Sequence, residues 1–240
     1  MNAKMKVLSL ALVGLCGYAG SALAVCPAGP DIANGGAWTA VGQFQGTAVI
    51  ATPGLATTEC RLDSTINAGA GGAAFGYVED DSPATEVRYR AQFIVDADTL
   101  TNQGLLATAN VFSAVSTANG VSVYFSIFGN GSGSRRIGYF VKDTSQTSGL
   151  SVGSAALSSG ENHVEFDLQV GSPGSFTMWV NSNVESSPTI PAVTVTNSGQ
   201  NIDSAFLGLS APSPQFVTAH AGTAVRFDQF DSRRQTFIGY

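Results

Sequence analysis

The chain has 240 residues, of which 44% are hydrophobic and 12% are charged, and its net charge is −6. An acidic surface repels phosphate groups, so this balance argues against nucleic acid and anionic lipid surfaces as partners. After the N-terminal segment, no apolar stretch is long enough to form a transmembrane helix.

The first 24 residues have the pattern of a secretory signal peptide. Lys4 and Lys6 precede an apolar run over 7–15, and the small–x–small sequence Ala22-Leu23-Ala24 follows it. The apolar run is too short to cross a bilayer. We therefore predict cleavage after Ala24, a mature chain over 25–240, and a secreted, periplasmic or cell-surface location.

Two cysteines, Cys26 and Cys60, follow the predicted cleavage site. In an exported protein, two cysteines most simply pair, so we predict a Cys26–Cys60 disulfide. The alternatives are two buried thiols or a metal site, and the second is disfavoured because His163 and His220 lie far away in the sequence.

Hydrophobic residues alternate with polar ones along most of the mature chain. The alternation is clearest over 86–95, 121–128, 162–170 and 175–181, and turn residues such as Asn119-Gly120 and Ser159-Gly160 separate such runs. Roughly a dozen short strands without a sustained helical pattern indicate an all-β, antiparallel two-sheet sandwich. Two linked immunoglobulin-like domains would also fit the length, but 115–145 is typical of a continuous meander, which favours a single domain.

Two acidic pairs are candidate metal ligands. Asp80 and Asp81 precede a Ser-Pro turn, and Asp96 and Asp98 follow a strong strand. If both loops lie at one end of the sandwich, their carboxylates could share a Ca²⁺ ion, which prefers six to eight oxygen ligands. The alternative is two solvated acidic turns.

Four strand patterns, over 135–141, 162–167, 176–181 and 225–231, together resemble the concanavalin A-like jelly roll, in particular its laminin-G-like branch. The resemblance covers 75–232 loosely and implies a lectin-like or adhesive scaffold. Phe227 and Phe230 break the two-residue period in the last of these strands, which predicts a β-bulge.

One enzyme group with this fold, the laminarinase-type glycoside hydrolases, carries Glu-x-Asp-x-Glu on a strand of the concave face. This chain has Glu165 and Asp167 at that spacing, but Gln169 replaces the second glutamate. An amide has no proton to donate as a general acid, so we predict no glycosidase activity and a protein that is not an enzyme.

Aromatic residues also fall on the polar sides of predicted strands, namely Tyr124, Phe140 and Trp179. Such rings form either a second apolar layer or a platform for sugar. We predict that Trp179, His163, Glu165 and Asp167 contact a ligand.

The leading functional prediction is a monomeric, non-catalytic binding module for an extracellular glycan or a cell-surface component. The alternatives are an adhesive subunit that acts by self-association and, less favoured, a glycan-active hydrolase. Calcium is the one cofactor that the sequence suggests.

Overall fold

A computed structural model describes residues 38–81, 83–100, 104, 106–129, 134–232 and 236–240. Two antiparallel sheets of seven strands each pack face to face as a jelly-roll sandwich. The predicted all-β two-sheet sandwich is therefore confirmed. The predicted leader over 1–24 and Cys26 lie outside the described residues, so the cleavage site and the disulfide stay predictions.

The strands are numbered in chain order. The first sheet contains, from edge to edge, β1 (Ala40–Phe44), β4 (Phe75–Asp80), β13 (Ser204–Ser210), β6 (Ala109–Ser116), β7 (Gly120–Gly129), β8 (Arg135–Lys142) and β9 (Leu150–Ala156). The second sheet contains β12 (Ile190–Val195), β11 (Gly174–Val180), β10 (Glu161–Gln169), β5 (Arg88–Asp96), β14 (Val225–Ser232), β3 (Arg61–Ile66) and β2 (Gly46–Ala51).

The core lies between the two sheets and is rich in phenylalanine. Phe93 of the second sheet stacks on Phe112 of the first, with ring centroids 5.3 Å apart. Phe125 and Phe166 meet across the same interface at 5.0 Å. These rings are inward members of the alternating runs, so the period of two directly produces the core.

Tight turns connect several successive strands, both within one sheet and between the two sheets. Gly120 and Gly160 both have φ of +78°, a left-handed conformation that glycine adopts without steric cost. The predicted bulge is also confirmed, because the register of β14 against β5 shifts between Asp228 and Asp231.

One short helix, α1 (Pro214–His220), was not predicted. Its N-cap is Ser213, whose side chain accepts a hydrogen bond from the backbone N–H of Phe216. Phe216, Val217 and His220 are buried against the sandwich. Seven residues beginning at a proline are too few to show a helical period, so tertiary packing stabilises this turn of helix. None of the described helices is long and apolar enough to cross a membrane.

Candidate functional site

The structure brings the four predicted ligand-binding residues together on the outward face of the second sheet. His163, Glu165 and Asp167 are alternate residues of β10, and Glu165 lies directly opposite Trp179 of β11. The antiparallel register and the period of two account for this placement.

A segment of the chain itself, residues 236–240, covers these side chains. The backbone N–H groups of Ile238 and Gly239 each donate to one carboxylate oxygen of Glu165 at 3.0 Å. Tyr240 stacks on His163 with ring centroids 4.1 Å apart. We call the outward surface formed by Arg90, His163, Glu165, Asp167 and Trp179 the covered groove.

Arg90 lies at the centre of the covered groove and is only 1% exposed. Its Nε donates to Glu165 at 2.6 Å, and its Nη1 donates to Glu185 at 2.8 Å. The guanidinium carbon also lies 4.6 Å from the Trp179 ring and 4.9 Å from the Phe237 ring. Cation–π contact at these distances is favourable, particularly where the cation is desolvated.

Two further contacts hold the neighbouring predicted residues. Asp167 forms a two-pronged ion pair with Arg88, with its closer contact at 2.7 Å. Burial lowers the pKa of His163, while the charge of Glu161 opposes this effect. Ligand binding by the four predicted residues stays a prediction, because the chain itself occupies the groove in this structure.

The predicted metal ligands form two pairs, Asp80 with Asp81 and Asp96 with Asp98. Asp80 ends β4, in a row of cross-strand partners that reaches Val123 of β7. Asp98 binds Arg135, whose partner on β7 is Gly129. At the usual rise per strand residue, Val123 and Gly129 are roughly 20 Å apart. The two pairs therefore lie at opposite ends of the sandwich. The condition for a shared calcium ion, that both loops lie at one end, is not met.

The second acidic pair already has partners. Asp96 accepts a hydrogen bond from the backbone of Asp98 at 2.9 Å and pairs with Arg226 at 3.3 Å. Asp98 accepts from the backbone of Gly160 at 2.6 Å. Across the part of the chain that the structure describes, no group of three or more His, Cys, Asp or Glu residues is arranged to hold a metal ion. Calcium binding thus stays a prediction, but not at one site that both acidic pairs share.

The outward face of the first sheet carries a broad array of aromatic side chains, which we call the aromatic face. Its rings are Phe44, Phe75, Tyr77, Tyr124, Phe128, Phe140 and Phe206. All of them retain solvent exposure, and Phe44 is 50% exposed. Unlike the covered groove, this face is accessible in the described structure.

The rings form two groups. Toward β1, Phe75 stacks on Tyr77 at 4.8 Å, and Tyr77 meets Phe206 edge-on at 4.9 Å. Toward β9, Tyr124 and Phe140 stack at 4.5 Å with an angle of 1° between their planes. Ser113 lies between the groups, since its cross-strand partners are Phe206 and Tyr124.

Small residues shape the floor of the aromatic face. The ring of Tyr77 lies over Gly42, where a Cβ atom would collide with it. A Cβ atom on Gly138 would lie 2.9 Å from the Phe128 ring and 3.2 Å from the Phe140 ring. The absence of a Cβ atom at these two glycines thus leaves the space that the rings occupy.

Polar groups accompany the rings. Burial raises the pKa of Tyr77, and the nearby charge of Glu79 raises it further. Burial likewise raises the pKa of Tyr124. Burial and the charge of Asp81 raise the pKa of Glu79. Both tyrosines therefore remain protonated at neutral pH and present hydroxyl donors on an otherwise apolar surface.

Tyr124 and Phe140 were predicted as aromatic residues on polar strand sides, whereas Phe75, Tyr77 and Phe206 were not predicted. The missed residues also alternate with buried neighbours, in the runs 75–80 and 204–210. In 75–80 both alternating sets contain apolar residues, so the run does not show which set faces the core. In 204–210 the set Ala205, Leu207 and Leu209 is wholly apolar and indicates an outward Phe206.

Several solved structures share this fold. An endo-β-1,4-glucuronan lyase from the fungus Trichoderma reesei has a TM-score of 0.60 and 15% identity, covering 88% of this chain and 95% of its own. The alginate lyase Aly36B has a TM-score of 0.55 and 11% identity, covering 81% of this chain and 86% of its own. The cellulose-induced protein Cip1 has a TM-score of 0.55 and 15% identity, covering 82% and 89%. No family model and no curated protein matches the chain.

These similarities establish the fold and correct one prediction. The prediction that the chain is not an enzyme is wrong as an inference from this fold, because lyases that act on polysaccharides share it. Gln169 bears only on hydrolysis, which needs a second carboxyl group. A lyase cleaves its substrate by elimination, so the missing carboxylate does not exclude it.

Proposed function

We propose that this chain is a glycan-active protein that binds an extracellular polysaccharide across the aromatic face. The observation that carries the proposal is the accessible array of rings with its two stacked groups. Aromatic rings bury a large area at low entropic cost, and they stack on the apolar faces of sugar rings. The shared fold with polysaccharide lyases and a cellulose-induced protein supports a glycan ligand.

The arrangement favours a ligand chain that runs across the strands. Glu79, Phe206, Ser113, Tyr124 and Phe140 are successive cross-strand partners. With neighbouring strands about 4.8 Å apart, this row extends roughly 19 Å. In this row Phe206, Tyr124 and Phe140 provide stacking surfaces, and Glu79 and Ser113 provide hydrogen-bonding groups, which suits several consecutive sugar units.

Mutation of Tyr124 tests this proposal. We expect Tyr124→Ala to weaken binding of a soluble β-1,4-glucan about tenfold, the equivalent of about 1.4 kcal/mol, because one stacking platform is lost. Isothermal titration calorimetry measures the effect. The matched control is Val49→Ala, which removes an exposed apolar side chain from the second sheet and should leave binding unchanged. Equal affinities for Tyr124→Ala and the unmodified chain would contradict the proposal.

A second candidate is cleavage of a uronate-containing polysaccharide by elimination. The observation that favours it is the placement of Tyr77 and Glu79 two residues apart on the outward side of β4. Burial and the charge of Asp81 raise the pKa of Glu79, and burial and the charge of Glu79 raise the pKa of Tyr77. Elimination removes a proton from the carbon next to the uronate carboxyl group and protonates the leaving oxygen. Glu79 would accept the first proton, and the Tyr77 hydroxyl would donate the second.

Tyr77→Phe separates this candidate from binding alone. The substitution keeps the ring but removes the hydroxyl, so it should abolish release of unsaturated product while retaining affinity. Ultraviolet absorbance of the new carbon–carbon double bond follows the reaction with polyglucuronate and alginate. If the unmodified chain produces no such absorbance from either substrate, the elimination candidate fails while the binding proposal stands.

The remaining proposals concern the mature protein. We infer export after cleavage at Ala24, a Cys26–Cys60 disulfide, a monomeric state and a place among the concanavalin A-like jelly rolls. We expect the intact mass of exported protein to correspond to a chain that starts at Val25. We also expect no thiol to react with an alkylating agent before reduction. A retained leader or two reactive thiols would refute these expectations.

A further inference from the structure

We propose that the covered groove is a second carbohydrate-binding site and that residues 236–240 occupy it as a tethered competitor. The site lies on the sheet opposite the aromatic face, so the proposal is independent of binding there. Its expected ligand is a neutral oligosaccharide with neighbouring free hydroxyls.

The segment binds both carboxylate oxygens of Glu165. Two consecutive backbone N–H groups donate to its two carboxylate oxygens, both at 3.0 Å. Two neighbouring hydroxyls of a sugar ring can donate to a carboxylate in the same two-pronged way. The backbone at Ile238 and Gly239 thus takes the place that a vicinal diol would fill.

The segment also covers the aromatic ring of the groove. Phe237 meets Trp179 edge-on at 5.5 Å and lies against the Arg90 guanidinium. Trp179 is only 4% exposed under this cover. If the segment leaves, an indole ring becomes exposed beside two carboxylates and a guanidinium group. Such a combination of one stacking platform and several convergent polar groups is typical of ligand sites.

Two buried polar atoms of the covered groove lack hydrogen-bond partners in the described structure. These atoms are Arg90 Nη2 and His163 Nδ1. Leaving buried polar groups without partners is unfavourable. The segment therefore fills the groove without satisfying it, and sugar hydroxyls, which both donate and accept, could pair with both atoms.

The charges indicate a neutral ligand. The groove and its rim contain the cations Arg88 and Arg90 and the anions Glu165, Asp167 and Glu185. The cations are already paired, and the anions are in excess by one. An anionic sugar would meet uncompensated repulsion here, whereas hydroxyl groups would not.

The contacts that hold the segment lie outside any β-sheet. Residues 236–240 form no strand in the described structure, and Tyr240 is 57% exposed. Its hydroxyl donates to the backbone oxygen of Asn181 at 3.1 Å. A ligand can thus displace the segment without breaking a sheet.

Deletion of 236–240 in a Tyr124→Ala, Phe140→Ala background tests the proposal, because this background removes stacking on the aromatic face. We expect the deletion to raise affinity for cellohexaose at least tenfold, as measured by isothermal titration calorimetry. Adding Trp179→Ala should remove the gain, and an alginate hexasaccharide should show none. A deleted chain that melts cooperatively but shows no gain would overturn the proposal.

A point variant covers the case in which the deleted chain does not fold. Gly239 has φ of +66° and donates its N–H to Glu165, so Gly239→Pro is incompatible with both features and should release the segment. We expect the same gain in affinity from this point variant, made in the same Tyr124→Ala, Phe140→Ala background. The matched control, Gly69→Pro, places proline at another loop glycine with a positive φ, outside the groove, and should bind like the Tyr124→Ala, Phe140→Ala parent. A folded Gly239→Pro variant that binds cellohexaose no better than the parent also overturns the proposal.

Discussion

Glu165 and Arg90 form an ion pair that is almost fully removed from solvent, with exposed side-chain fractions of 3% and 1%. Removing two charges from water is costly, and the pair is tolerated because each group has additional partners. Glu165 accepts two backbone hydrogen bonds, and Arg90 also binds Glu185 and lies between two rings. The stability of this pair therefore depends on the segment that covers it.

Arg90→Met should destabilise the fold by about 3–5 kcal/mol, because it leaves Glu165 charged and buried without its cation. Urea unfolding at neutral pH measures the change. Arg88→Met is the matched control, since Arg88 pairs with Asp167 but its side chain is 37% exposed. This control should lower the free energy of unfolding by no more than about 1 kcal/mol. Similar losses in the two variants would contradict the assignment of Arg90 to a buried pair.

Two histidines make stability depend on pH. Burial lowers the pKa of His163 and His220 below the ordinary 6.5, and Glu161 partly opposes this at His163. As pH falls through about 6.5, the unfolded chain binds protons that the folded chain still excludes, so stability is full above that pH and declines below it.

We expect the urea midpoint to fall between about pH 7 and about pH 5 for this reason. Replacing both residues, as His163→Gln with His220→Gln, should flatten the dependence. His220 is only 3% exposed, so it should account for a substantial share. A fall of the same size in the double variant would assign the effect to other groups.

At the level of elements, the strands were predictable where one set of alternating residues is clearly apolar. The predicted runs over 162–170 and 175–181 agree closely with β10 (Glu161–Gln169) and β11 (Gly174–Val180). The short helix Pro214–His220 escaped prediction because its stability comes from packing. The rings of β4 escaped it because β4 has apolar residues on both sides, so its alternation does not identify the inner side. The apolar set of β13 does identify an inner side and indicates an outward Phe206.

The contact between Gly42 of β1 and the Tyr77 ring of β4 allows a test of whether the aromatic face binds glycan. Gly42→Ala introduces a Cβ atom where the Tyr77 ring now lies. The ring can rotate away, so we expect a modest change in stability but at least a severalfold loss of β-1,4-glucan affinity. Gly104→Ala is the control, because its Cβ atom meets nothing within 4 Å. Unchanged affinity in Gly42→Ala would show that the position of Tyr77 is not part of the binding surface.

The two outer faces of the sandwich share one core but differ in their exposure to solvent. The sequence indicated polar and aromatic residues on each face but not which face is covered. The reason is distance along the chain: Glu165 lies 73 residues before the Ile238 backbone that binds it. Such a contact depends on where β14 leaves the sheet, and local pattern does not determine that. The same separation explains why the opposite positions of the two acidic pairs became visible only in the folded topology.

A shared core also predicts how the molecule unfolds. Phe112 and Phe125 of the first sheet pack against Phe93 and Phe166 of the second, so neither sheet retains its core alone. We expect a single calorimetric transition whose van't Hoff and calorimetric enthalpies agree. Phe166→Ala should lower stability by about 3–5 kcal/mol and shift that one transition without splitting it. Two resolved transitions would instead favour separately folding units and would contradict the prediction of one domain over 25–240.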